Sequence, residues 1–308
     1  MHERQSLPEA PPIVTDGAVT NGAVENGARH EEPSSERQSE WHATVGDLRG
    51  EDGDFIGALG EYKKAARLAP DSPERLTKLA EGYAAADLPH KAFDYYQRAL
   101  EAQREQGGAD VTEALVGLGD LCRTFAHSKA AVRSYERAVR SKPRHPFFRW
   151  KLAVALAALG LYEQAEGQLL TALELAPRDS FYRFQLADIY LLMRRDSDAV
   201  TELEQVVALA PRDDYYRLRL GAALLRADRA PEAVPHFERA VQLQPQNSSY
   251  RTLLRYAYVR NDQEPTISVD VEMLELSAYD EDFVRRILQL AQRPGAEVET
   301  KRRGDAST

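Results

Sequence analysis

The sequence predicts an all-α solenoid of stacked helix pairs, and three observations carry that prediction. A 34-residue pattern recurs six times between residues 39 and 247. One column of that pattern is alanine in every copy, and proline recurs near the end of five of them. Between these landmarks Ala, Leu, Glu and Arg dominate, and all four are strong helix formers.

The elements follow in order. Residues 1 to 37 are rich in Gly, Pro, Ser, Glu and Asn and contain the near-duplicate GAVTNGAVENGA at residues 17 to 28. This stretch offers too little apolar surface to offset its ordering entropy and is expected to form a disordered arm. Pro8, Pro11, Pro12, Asp16 and Asn21 break every apolar run in it, so no signal peptide is expected. The repeat frames then run 39–72, 73–106, 112–145, 146–179, 180–213 and 214–247, with one glycine-led insertion, Gly107 to Val111, between the second and third.

Reading down the columns shows how each frame builds a helix pair. The twentieth position is Ala58, Ala92, Ala131, Ala165, Ala199 and Ala233; the twenty-seventh is Ala65, Ala99, Ala138, Ala172, Val206 and Ala240. The eighth is Gly46, Ala80, Gly119, Ala153, Ala187 and Gly221, so two helices can approach closely at all three places. Large side chains fill the space from the seventh column (Val45, Leu79, Leu118, Leu152, Leu186, Leu220) and the twenty-fourth (Tyr62, Tyr96, Tyr135, Leu169, Leu203, Phe237). Pro70, Pro143, Pro177, Pro211 and Pro245 at the thirty-second position stop the second helix, and only Arg104 departs from that column.

Residues 248–260 repeat the first-helix pattern, with Leu254 and Tyr258 in register, and are expected to cap the stack. The remainder, 261–308, forms an appendage. Ile267, Val269, Val271 and Met273 alternate with polar neighbours, as an extended segment requires. Residues 277–293 read as an amphipathic helix, with Ser277 and Asp280 as a capping pair and Phe283, Val284, Ile287, Leu288 and Ala291 on one face; a polar tail follows.

The six frames resemble the tetratricopeptide repeat, whose helix-turn-helix unit places small residues at positions 8, 20 and 27 and proline at 32. The resemblance implies a right-handed α-α superhelical solenoid that holds a protein or peptide partner in its concave groove, a non-catalytic scaffold or adaptor. It also implies that positions 2, 5, 9 and 12 of each first helix line that groove. In the first three repeats these columns include Glu40, Asp47, Glu74, Glu81, Glu113 and Asp120. In the last three they include Phe147, Trp150, Val154, Phe181, Phe184, Leu191, Tyr215, Leu218 and Leu225. The groove is expected to change from acidic to apolar along its length, with Glu74, Glu81 and Asp120 selecting charge and Trp150, Phe184 and Leu218 anchoring the partner. Members of the family that hold the acidic tail of heat-shock chaperones carry lysine at position 5 and asparagine at position 9. Here position 5 is Ala43, Thr77, Val116, Trp150, Phe184 and Leu218, and position 9 has no asparagine, so that partner is not expected.

A second ladder, Arg149, Arg183, Arg217 and Arg251, follows the aromatics Phe148, Tyr182, Tyr216 and Tyr250 at 34-residue intervals. Two accounts stand. In one, Asp179 and Asp213 pair locally with Arg183 and Arg217 four residues on. In the other, arginines interleaved with aromatics take a nucleic acid or an acidic partner.

Signs of catalysis are weak. Cys122 is the only cysteine, and the seven histidines are scattered, so neither a metal site nor a cofactor is expected. Gly117 and Gly119 lie inside a first helix, and His127 beside Ser128 has no placed acid, so no catalytic residue is assigned. An accessory role in a transferase complex is a third reading, by analogy with the family alone. The longest apolar run, Leu152 to Tyr162, falls short of the roughly 20 residues of a membrane span, and a cytoplasmic location is expected.

The net charge of −9 is unevenly spread. Residues 1–37 carry −4, 38–111 carry −5, 112–260 carry +5 and 261–308 carry −5. An acidic C-terminal segment is therefore expected to stay near the basic repeats. Residues 266–293 are expected either to seal the open end of the stack or to lie back across the groove.

Overall fold

The computed structural model describes residues 34–108, 110–262 and 278–292. The expected extended segment at 266–276, the polar tail and the arm up to residue 33 lie outside the described residues, as do the side chains of the Ser277 and Asp280 pair.

Among the described residues all regular structure is helical. The first repeat holds α1 (Ser35–Glu51) and α2 (Phe55–Leu68), the second α3 (Pro73–Ala85) and α4 (Pro89–Gln106), and the third α5 (Thr112–Thr124) and α6 (Ser128–Ser141). The fourth holds α7 (Pro146–Ala157) and α8 (Tyr162–Leu175), the fifth α9 (Ser180–Leu192) and α10 (Asp196–Leu209), and the sixth α11 (Asp214–Arg226) and α12 (Ala230–Leu243). A solitary α13 (Ser248–Arg260) follows, and α14 (Ala278–Ala291) comes last. α1 begins at Ser35, inside the expected arm, because the Ser34 side chain accepts a hydrogen bond from the Arg37 backbone N–H.

Ser72, Asp179, Asp213 and Asn247, each the last residue of a frame, cap the following first helix through the backbone N–H of Arg75, Phe181, Tyr216 and Tyr250. The described residues form two compact units that divide after Leu159. In the first, α1 packs on α2, α3 on α4 and α5 on α6, and each second helix packs on the first helix of the next repeat. The same alternation runs from α8 to α13 in the second unit.

The helix-to-helix turn has a fixed backbone that the residue columns do not announce. Position 15 has positive φ in every repeat: Gly53, Asp87, Ala126, Gly160, Arg194 and Asp228, and again Asp262 after α13. Only two of these are glycine, the residue that takes this conformation without a Cβ penalty. The turn is held by a six-residue hydrogen bond, such as His127 N to Cys122 O at 2.7 Å and Arg229 N to Leu224 O at 2.9 Å.

The small columns are buried as expected, from Ala58 to Ala233 and from Ala65 to Ala240. The eighth and twenty-fourth columns are coupled. A Cβ on Gly46 would fall 2.4 Å from the Tyr62 ring, one on Gly119 2.6 Å from Tyr135, and one on Gly221 2.6 Å from Phe237. Where position 24 is the smaller Leu203, position 8 is Ala187, and both are fully buried. Tyr96 leans elsewhere, so that a Cβ on Gly117 of the next repeat would meet it at 2.3 Å, and Ala80 is tolerated at position 8 of its own repeat.

Candidate functional site

The first-helix face of the N-terminal unit is acidic in sequence but partly neutralised in structure. At position 9, Asp47 accepts from Tyr62 Oη at 2.8 Å and pairs with Lys78 Nζ at 3.2 Å. Lys78 also reaches Glu81 at 3.4 Å. Asp120 accepts from Tyr135 Oη at 2.6 Å and pairs with Lys151 Nζ at 2.8 Å. The recurrent device is a base at position 6 clamped to an acid at position 9 of the preceding repeat. Asp188 and Arg219 complete a third such clamp in the C-terminal unit.

These clamps change the expected role of the acids. Asp120 is engaged by two donors of its own chain, and Glu74 accepts from the capping hydroxyl of Ser72 at 2.8 Å. Glu81 shares Lys78 with Asp47 and lies the farther of the two from it. Burial raises its pKa, Lys78 opposes that shift, and the neighbouring Glu113 adds to it. Asp47, Glu51, Phe55, Tyr62, Lys78 and Glu81 line a cleft of about 470 Å³ among α1, α2 and α3.

The apolar anchors separate into two groups. On α7, Trp150 and Val154 are half-buried. The Trp150 ring lies 5.4 Å from Phe147, and the Lys151 ammonium sits 5.3 Å from both rings. Phe184, Leu191, Leu218 and Leu225 are instead buried, with Leu218 at 0% exposure. Phe184 packs 5.1 Å from Tyr216, and the Arg219 guanidinium lies 4.7 Å above its ring. The solvent-facing aromatics of this unit are at position 2, Phe181 and Tyr215, 36% and 38% exposed. Position 5 thus packs and position 2 presents, the reverse of the sequence expectation for Phe184. The aromatic beside it on the next helix and the Arg219 clamp fold over that side chain.

The arginine ladder has a structural occupation that differs from the expected local ion pairs. Arg149 donates from Nη2 to the carbonyl of Pro143 at 2.8 Å, Arg183 to Pro177 at 3.3 Å and Arg217 to Pro211 at 2.6 Å. Each latch spans six residues and satisfies a carbonyl left open by the end of the preceding second helix. Asp179 and Asp213 are spent as caps, and Arg183 takes Glu202 at 2.7 Å as its carboxylate. Arg251 follows in the same column on α13. Arg144, Arg178 and Arg212, one helix start away, are exposed.

Among the described residues no group of His, Cys, Asp and Glu is arranged to hold a metal ion. Cys122 is buried, and burial pushes its thiol pKa up, away from reactivity. No helix among the described residues is long and apolar enough to cross a membrane.

Family models described as tetratricopeptide repeat match residues 74–144, 117–180 and 184–248. The chain belongs to the tetratricopeptide repeat family. The first frame precedes these matches, and α1 and α2 supply it with the same Gly46 and Tyr62 contact and the same position-15 turn. No curated protein matches the sequence.

Solved structures are similar in fold. A tetratricopeptide repeat protein from Parabacteroides merdae is 19% identical with a TM-score of 0.50, covering 71% of this chain and 84% of that one. The APC/C hetero-tetramer Cut9-Hcn1 gives 15% identity and a TM-score of 0.54 over 71% of this chain and 42% of that one. A MamA RS-1 double mutant gives 19% and 0.50 over 57% of this chain and 97% of that one.

Proposed function

We propose that this tetratricopeptide repeat protein is a non-catalytic scaffold that holds a segment of a partner protein against its first-helix faces. The observation that carries the reading is the half-exposed aromatic pair Phe147 and Trp150 beside the clamped acid Asp120 of α5. An aromatic anchor next to fixed charge is the composition of an interface centre. In the N-terminal unit, Asp47, Glu51, Glu81 and Glu113 outnumber Lys78 and Lys151, so a segment bearing basic residues beside an apolar anchor suits it.

The test is site-specific photo-crosslinking in the native cell, with p-benzoylphenylalanine replacing Trp150 and, as a control, the exposed Phe93 of the second helix α4. A partner crosslinked at 150 and not at 93, with the crosslink at 150 lost when Glu81→Lys is added, is expected. Equal capture at both positions, or none at 150, refutes the reading.

The exposed arginines Arg144, Arg178 and Arg212 support a second reading, an anionic partner. It requires an affinity that falls steeply with salt. Absence of any mobility shift with single-stranded nucleic acid at low ionic strength removes it.

A further inference from the structure

In this fold a second helix packs chiefly on the first helix of its own repeat, as α10 does on α9 and α12 on α11. α14 does not take that place beside α13. It packs on α11 more extensively than on α13, one repeat back, and both are first helices. It therefore lies across the face that carries positions 5, 9 and 12 and does not seal the end of the stack. Val284, Ile287 and Ala291 are buried, and the Phe283 ring is 6.2 Å from Tyr250 of α13. Arg285 and Arg286 stay in solvent, paired with Asp282.

The surface beneath α14 is apolar where three earlier junctions are charged. Three junctions join position 9 to position 6 of the next repeat by charge: Asp47 to Lys78, Asp120 to Lys151 and Asp188 to Arg219. Between α11 and α13 the same two positions are Ala222 and Leu253, both fully buried. With Leu218 and Leu225 they make an apolar seat in place of the charge pairs at those three junctions; Glu81 and Gly117, and Val154 and Gln185, hold the same positions at the remaining two. A charged clamp there would leave an ion under an aliphatic helix, at a desolvation cost that an apolar pair avoids.

We infer that the α11 and α13 face is a docking site for an amphipathic helix with aliphatic side chains at i, i+3 and i+7. α14 is its occupant in cis, and a partner helix of the same chemistry gains access when α14 leaves. This inference rests on the reading that first-helix faces hold partner segments, and it adds what one of them recognises and what keeps it closed.

The probe is a fluorescein-labelled peptide of residues 278–292, titrated by anisotropy against the full-length chain and against full-length Val284→Asp/Ile287→Asp. Far-UV circular dichroism of both proteins verifies folding. The variant is expected to bind the peptide at least about tenfold more tightly than the wild type, because the tethered helix no longer competes. A peptide carrying Ile287→Asp is expected to lose that binding. A folded variant that binds no peptide, or a wild type that binds it equally well, overturns the inference. So does a wild type that is dimeric by light scattering, with α14 exchanged between copies. If the peptide result holds while crosslinking at Trp150 captures nothing, the docking face stands and the broader scaffold reading falls.

Discussion

The coupling of positions 8 and 24 invites a double-mutant cycle on Gly221 and Phe237. A Cβ at 221 would lie 2.6 Å from Phe237 Cε2 and 2.8 Å from Cζ, and Phe237 is 1% exposed, so the ring has nowhere to retreat. Overpacking of this kind costs about 1–3 kcal/mol. Replacing a helical glycine by alanine returns about 1 kcal/mol of propensity. Gly221→Ala should therefore destabilise by about 0–2 kcal/mol, and Phe237→Leu alone by about 1 kcal/mol through the space it leaves. Together they recreate the Ala187 and Leu203 pair of the fifth repeat, where both residues are fully buried. The double variant should exceed Phe237→Leu in stability by about the 1 kcal/mol of helix propensity, a favourable coupling of about 1–3 kcal/mol. Urea midpoints followed by circular dichroism measure the cycle. Native-state hydrogen exchange of α11 and α12 amides measures it locally, which matters because long repeat arrays need not unfold in one step. Effects that add within about 0.5 kcal/mol would show that the two columns are independent and would refute the argument.

Three further outcomes are expected. Ala126→Gly, at an exposed position-15 turn with φ 57°, should stabilise by about 1 kcal/mol, and Gly53→Ala, at φ 82°, should destabilise by a similar amount; thermal midpoints moving otherwise would remove backbone strain as the cause. Lys151→Met leaves Asp120 with Tyr135 alone and should cost about 1 kcal/mol in urea, part of which Asp120→Asn on the same background restores. Burial and then Arg217 lower the His236 pKa below its ordinary 6.5, so the folded state binds that proton less readily than the unfolded chain. Its stability contribution is full above pH 6.5 and falls as pH drops through that value, and His236→Gln should flatten this limb of the stability profile. Glu81, raised above 4.5, acts in the opposite sense at lower pH.

The helix pairs were legible because their determinants are columns. Small residues at 8, 20 and 27 are demanded by close approach in every repeat, so each copy restates the constraint. The position-15 turn was only partly legible: Gly53, Gly160, Asp87 and Asp228 are types that accept positive φ, but Ala126 and Arg194 are not, and there the helices on either side impose the geometry. The repeat register placed the candidate residues on the first helices. Exposure along those helices depends on contacts 31 residues apart, such as Lys151 to Asp120, and on a helix arriving from beyond the repeats. Leu218 and Trp150 share a position number and differ in exposure for that reason. The arginine ladder was visible as a pattern, yet its carbonyl acceptors lay in the backbone, where no side-chain column points.

The latch and the clamp divide the labour of assembly in different ways. Arg149, Arg183 and Arg217 all reach for the same backbone acceptor, so any of these repeats could follow any other and the latch would close. The clamp is not so tolerant. Lys78, Lys151 and Arg219 each need an acid at position 9 of the preceding repeat, and the fourth and sixth repeats present Val154 and Ala222 in that place. A shuffled copy of this chain would keep its turns, caps and latches and lose its charge matches, setting Asp188 opposite an uncharged Gln185 or Lys151 opposite Ala222. Part of the repeat order is thus written in the clamp column, a small set of side chains acting as a parity check beside other neighbour-specific fits such as Tyr96 against Gly117 and Arg195 with Glu166.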